Sequence, residues 1–284
     1  MKLQRKVILF SASMLLVTNL ISQQRIDLLE AIDQGLVTAE FLSTGSSSQD
    51  CVDVTVNNVS KRDLVLTVNT GFQLATLEKG DQDILITKEE EIIADAGEST
   101  SERLYGFCAQ ALNAVPTSGS GFVPNGYAQN DMAKLAVYLN DHKLEPELEQ
   151  EAVWTMLEGL PIAGIYSDAS QEDKDLRAFC ADLRGEEAPT YNIDYGDVLD
   201  TQFSNEVVEL NGEMNYRITE NSTASLRLLA PDGSEMVSYF EDRPLSPANY
   251  TQRFTFSGHG LQKGEYKFVL LIDGEEFREM IIEV

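Results

Sequence analysis

Over most of the chain apolar and polar positions alternate with a period of two. Val37, Ala39 and Phe41 alternate with Thr38 and Glu40; Val52, Val54 and Val56 with Asp53 and Thr55; Leu64, Leu66 and Val68 with Val65 and Thr67. Successive side chains of a strand point to opposite faces, so each run predicts a half-buried strand. Further strands are expected over 72–77, 83–87, 91–94 and 102–108, separated by Gly71, Lys79-Gly80-Asp81 and Ala96-Gly97. About seven short strands between residues 36 and 116 predict a β-sandwich of immunoglobulin-like size. Ahead of them, Ile26, Leu28, Leu29 and Ile32 predict a short helix over 24–35, ended by Gly35.

The period changes after the loop over 117–123. Ala128, Met132, Leu135, Ala136 and Leu139 fall on one face of a helix, and so do Leu148, Ala152, Val153 and Met156. Pro146 suits the first turn of the second helix, where Glu145, Glu147 and Glu149 meet the positive end of its dipole. Ser170-Gln171-Glu172-Asp173 is an approximate capping box for a third helix that buries Leu176, Phe179, Cys180 and Leu183. These elements make a helical segment over 117–186, packed on or beside the first sandwich. Gly185 to Pro189 reads as a domain boundary, after which strands return through 190–284 as a second sandwich. Its hairpin turns are Pro231-Asp232-Gly233-Ser234 and Asp273-Gly274. The expected fold is therefore mainly β with a helical segment, two immunoglobulin-like β-sandwiches flanking about three helices.

Residues 1–23 place Lys2, Arg5 and Lys6 before an apolar stretch from Val7 to Ile21 and then small and polar residues, the order of a secretory signal peptide. The stretch is shorter than the roughly 20 residues of a membrane span, and no later one is apolar enough. The mature chain is expected to be soluble, without a transmembrane segment, and secreted or held at the cell surface or in the periplasm. With 47 acidic against 21 basic residues the net charge is −26, and losing the three N-terminal cations makes it −29. Such a surface excludes nucleic acid as a partner, because phosphate binding needs concentrated positive charge.

Chemistry-bearing residues are few. Only His142 and His259 are present, without a Gly-x-Ser-x-Gly elbow or a His-Glu-x-x-His pair, and both read as surface residues. The acidic runs Asp168–Asp173 and Asp194–Asp197 lack the order of calcium ligands and read as solvated loops. No metal site and no cofactor are expected. Three cysteines, Cys51, Cys108 and Cys180, leave an odd thiol in an oxidising compartment. A thiol enzyme would pair Cys108 with His142. A structural disulfide would join Cys51 to Cys108 between two sheets, or Cys108 to Cys180. On the disulfide reading Trp154 is a core anchor and Gln150 a surface amide.

Tyr105-Gly106-Phe107-Cys108, with Pro116 eight residues after the cysteine, and Gln150-Glu151-Ala152-Val153-Trp154 form a more informative constellation. It resembles the signature of thioester domains in bacterial surface adhesins. The resemblance implies an internal thioester that captures an amine, with Cys108 as acyl carrier and Gln150 as acyl donor. At the other end, Leu261, Gly264-Glu265-Tyr266, the strand Phe268–Leu271 and Asp273-Gly274 resemble the sorting domain of type IX secretion, a pattern shared with immunoglobulin-like modules. The expectation that follows is a secreted, non-enzymatic binding or surface-interaction protein of the bacterial envelope, whose partner is a protein or cell-surface ligand. A covalent adhesin and a Cys108/His142 enzyme are the alternatives.

Overall fold

The computed structural model describes residues 24–167, 170–195, 203 and 206–284. The signal peptide expected over 1–23 lies outside the described residues, as do Asp168, Ala169, Gly196 and Asp197 of the two acidic runs. Among the described residues the chain is mainly β with four α-helices, and its strands make several sheets.

The first β region is built from β2 (Val37–Ser43), β3 (Ser48–Asn58), β5 (Phe72–Thr76), β6 (Ile84–Ile86), β8 (Ser99–Cys108) and β9 (Gly121–Tyr127). These close in the order β2-β3-β8-β6-β5-β9, and the Phe41–Phe122 pairing of β2 with β9 completes the ring. Where alternation predicts two facing sheets, the strands form a barrel, which removes the sheet edges. A separate three-stranded sheet adds β1 (Gln24–Asp27), β4 (Leu64–Val68) and β7 (Glu90–Ala94), with β1 parallel to β4. The helix α1 is thus only Leu28–Asp33, capped by the Asp27 carboxylate, which accepts from Glu30 N at 3.1 Å.

Alternation along β8 serves two cores. Leu104 and Cys108 belong to the barrel interior with Phe41, Val54 and Phe72. Phe107 faces the other way, and with Leu85 of β6 it packs on α2 (Asn130–Asp141), α3 (Pro146–Glu158) and α4 (Gln171–Arg184) through Leu135, Leu148, Val153 and Leu176. Strands buried on both faces need apolar residues at consecutive positions, which is why β6 reads Ile-Leu-Ile. Pro146 opens α3 and Gly159, at φ 68°, ends it; the Ser170 hydroxyl accepts from Asp173 N at 3.1 Å to cap α4.

After α4, β10 (Tyr191–Asp194), β11 (Glu209–Ile218) and β14 (Ala248–Ser257) form one sheet. It faces a second of β13 (Glu235–Leu245), β12 (Ser222–Leu229), β15 (Glu265–Ile272) and β16 (Glu275–Glu283). Leu210, Leu226, Phe254, Phe268 and Ile282 fill the space between them. At the start of β15 the Tyr266 hydroxyl donates to the Gln262 carbonyl at 2.9 Å and accepts from Gln262 N at 3.0 Å. This is the tyrosine corner of immunoglobulin-like sandwiches. It accounts for the Gly-Glu-Tyr sequence, since a Cβ on Gly264 would lie 2.9 Å from Pro231.

Gly106 marks the tightest point of the barrel. A Cβ there would sit 2.7 Å from the Leu85 carbonyl oxygen and 3.0 Å from Ile86, and a backbone atom cannot swing aside. Gly106→Ala is expected to destabilise the barrel by about 1–3 kcal/mol, in the range of overpacked cores. The urea midpoint followed by fluorescence of Trp154, the single tryptophan, measures this; an unchanged midpoint would contradict it.

Candidate functional site: the junction of Cys108 and Gln150

Cys108 ends β8, paired across to Ile84, with its amide donating to Ser47 O at 2.9 Å. Its side chain is fully enclosed. Burial pushes its pKa far up, and the neighbouring Cys51 and Asp81 add to the rise. Gln150 comes from the second turn of α3 and is 6% exposed, so it is not a surface amide. Its Nε2 donates to the Cys108 carbonyl at 2.8 Å, across 42 residues of sequence. Its Oε1 is buried and has no hydrogen-bond partner among the described residues. Since a buried polar atom without a partner costs roughly 1–3 kcal/mol, the carboxamide is held here by packing and by one bond, against a local penalty.

One turn along α3, Trp154 packs against the barrel core, and its Nε1–H donates to Gln82 Oε1 at 3.2 Å. Gln82 is fully buried and donates in turn to Asn113 O at 3.1 Å. Gln150 and Trp154 thus form an i, i+4 stripe. The structure brings together the two predicted halves of the site, the end of β8 and the Gln-x-Ala-Val-Trp helix.

The disulfide expectations are corrected. All three cysteines are free and buried. Cys51 and Cys108 lie on neighbouring strands of one barrel, not on two facing sheets. The register sets Cys108 beside Ser47, while Cys51 stands four residues on, at the bulge between Asp50 and Val52, so the two are not cross-strand partners and no bond joins them. Cys180 lies on α4 in the helical core, while Cys108 belongs to the barrel core. Burial raises the pKa of both Cys51 and Cys180 to about 12.

His142 is exposed at the end of α2, stacked on Tyr138 with ring centroids 3.9 Å apart, and its Nδ1 lies 2.8 Å from Tyr138 O. Cys108, by contrast, is enclosed in the barrel interior. His259 is exposed, 3.7 Å from the Glu206 carboxylate. Asp173 is not part of a solvated loop: it is 1% exposed and accepts from Ser167 N at 2.9 Å. Among the described residues no group of three metal-ligating side chains converges.

Sequence reasoning does not single out the charged groups flanking Gln150. Glu149 is 1% exposed, and its Oε1 pairs with Lys88 Nζ at 3.2 Å. Lys88 also donates to the carbonyls of Leu139 and His142 and lies 5.6 Å from the Tyr105 ring centre. Desolvation raises the Glu149 pKa to about 7, with Lys88 opposing. On the other side Glu151 accepts from Tyr166 N at 2.9 Å. Burial and then the charges of Asp173, Asp194 and Glu147 raise its pKa to about 8, against that hydrogen bond. The available signal is helical phase: Glu149 stands four residues before Val153, on a face the apolar pattern buries.

No known family, curated protein or solved structure matches the chain.

Because Glu151 keeps its proton in the folded chain up to about pH 8 but ionises near pH 4.5 when unfolded, the folded state binds more protons between these values. Its contribution is complete below about pH 4.5 and is lost as pH rises to about 8; Glu149 acts in the same direction up to about 7. A tenfold difference in proton affinity between the folded and unfolded chain corresponds to about 1.4 kcal/mol, and partial hydration of the site reduces the total. Glu151→Gln is therefore expected to recover about 2 kcal/mol of the stability lost between about pH 5 and pH 8. Urea unfolding at both pH values measures it, and an equal loss of stability in the two proteins would refute the assignment.

Proposed function

We propose that this is a secreted, non-enzymatic surface-interaction protein of a bacterial envelope, and that it attaches covalently through a thioester between Cys108 and Gln150. The observation that carries this reading is the 2.8 Å hydrogen bond from the Gln150 carboxamide to the backbone carbonyl of Cys108, which brings the two residues together in a buried junction where the thiol is free. The Cys108 sulfur attacks the Gln150 carboxamide carbon, the S–C bond forms, the C–N bond breaks, and the thiol proton leaves with the nitrogen as ammonia. No oxidant is required. An incoming primary amine on a partner then takes the acyl group as an amide and returns the proton to sulfur.

Two features support a stoichiometric device over a turnover enzyme. A thiol whose pKa is driven up by burial is a weak nucleophile toward a passing substrate. It can still react within the chain, because intramolecular placement replaces concentration. In addition, the His142 ring is engaged by Tyr138. A reading based on a large apolar docking face has less support, since exposed residues such as Val59, Leu112, Met236 and Phe277 stand on separate elements.

Intact mass of the purified full chain tests the proposal. The expected product is lighter than the sequence mass by one ammonia and gains one methylamine on treatment with that amine. Cys108→Ala and Gln150→Ala should each show the full mass and no uptake. A wild-type chain at full mass that takes up no methylamine would sink it.

A further inference from the structure

A second site lies away from Cys108, where α4 stands over the outer face of the sheet formed by β10, β11 and β14. The cleft between them has a volume of 730 Å³. Its floor follows from strand alternation. On β11, Leu210, Met214 and Tyr216 point into the sandwich, so Glu209, Asn211, Glu213 and Asn215 point out. Pairing adds rows across the sheet: Asn192 and Thr255 flank Asn211, Arg253 faces Glu213, and Thr251 faces Asn215.

The floor is preorganised by its own bonds. Asn192 Nδ2 donates to Asn211 Oδ1 at 2.7 Å, and Asn211 Nδ2 donates to Glu209 Oε1 at 3.2 Å. The inner end is closed by Arg177 of α4, which is 5% exposed. Its Nη1 donates to Tyr191 O at 3.1 Å and to the Asn192 side chain, while its Nε is buried with no hydrogen-bond partner among the described residues. A buried guanidinium left incompletely satisfied beside an open cleft is an observation independent of the floor. Lys174, one turn earlier on α4, and Tyr166 complete the wall.

The chemistry of these groups restricts the ligand. Amides, hydroxyls and charges of both signs supply donors and acceptors side by side. Against Lys174, Arg177 and Arg253 stand Glu209 and Glu213, which leaves a single net positive charge, short of the excess a polyanion requires. Its apolar side chains, Tyr166, Pro189 and Phe254, are outnumbered by polar ones, whereas a lipid or hydrophobic peptide is anchored by a predominantly apolar wall. Vicinal hydroxyls that each donate and accept fit such a surface. We propose that this cleft binds a neutral carbohydrate, independently of the Cys108–Gln150 junction.

The test is a glycan array covering neutral and acidic oligosaccharides probed with the full chain, followed by calorimetric titration of the strongest neutral binder. Binding is expected for wild type and for Cys108→Ala, which separates this site from the thioester. Glu213→Ala and Arg253→Ala, both on the exposed face, should each weaken affinity tenfold or more with unchanged thermal unfolding. Arg177→Met, which removes the inner closure, should abolish binding where the variant remains folded. The proposal is overturned by an array without neutral binders, by binding confined to acidic glycans and lost in salt, or by a neutral glycan whose affinity the two surface variants leave unchanged.

Discussion

Burial of the C-terminal end of β8, residues 104–108, on both faces is the constraint from which the first lobe and its site follow. Leu104 and Cys108 point into the barrel, Phe107 points to the helices, and Gly106 lets the Leu85 backbone approach closely. A strand with one solvated face could not seat α3, which meets the end of β8 at the Cys108 carbonyl. Two attachments hold the helices: Phe107 and Leu85 fix them to the outside of the barrel, and Trp154 fixes α3 to its core. Between these attachments the Gln150 carboxamide meets the carbonyl at the end of β8.

The same packing sets the electrostatics. A chain with a net charge of −26 can solvate most of its carboxylates, so a buried one requires a local cause. Glu149 is buried because α3 is enclosed on the side facing Tyr105 and β8, and Lys88 compensates it from the loop after β6. That ammonium also joins the carbonyls of Leu139 and His142, binding the end of α2 to the start of α3. The pair ties two helices to the barrel, a role in which buried ions confer specificity of arrangement more than stability. Glu151 has only the Tyr166 amide and a surrounding of other carboxylates, so it is better accommodated with its proton on.

The legible part of the fold was that governed by local periodicity. Period-two runs such as 52–56 and period-3.6 runs such as 132–139 give the strands and helices, and the Asp273-Gly274 turn follows from its positive φ angles of 51° and 82°. Closure of the first six main strands into a barrel was not legible, because alternation marks an inside and an outside equally for a barrel and a sandwich; only the pairing of β2 with β9 distinguishes them. The site was legible as two sequence segments, yet whether they meet depends on the docking of α3. The expected places of Cys51 and Cys108 on two sheets, or of Cys180 on a docked helix, favoured a disulfide; the pairing of β3 with β8 in one barrel and the separate core of Cys180 leave all three thiols free. Glu149 carried only its helical phase with Val153, and Lys88 and Arg177 were not legible, because a single charged residue carries no sign of its own burial.

The depth of Cys108 bears on what an acyl group there would experience. Water is excluded from the junction, so hydrolysis of a thioester would wait on an opening motion and not on the intrinsic reactivity of the bond. A buried thiolate is a costly leaving group, which the raised thiol pKa expresses in another form. Both effects would lengthen the life of an acyl group stored there. On the proposed function, release to a partner would require α3 to move relative to β8, exposing the acyl carbon and hydrating the departing sulfur together. Gln150 Oε1, already without a partner, gives the closed junction a weak point: an opening that lets water reach that oxygen recovers its missing hydrogen bond. The junction therefore combines a well-packed Trp154 anchor with a poorly satisfied amide one turn away. This arrangement favours local opening at the start of α3 over unfolding of the lobe.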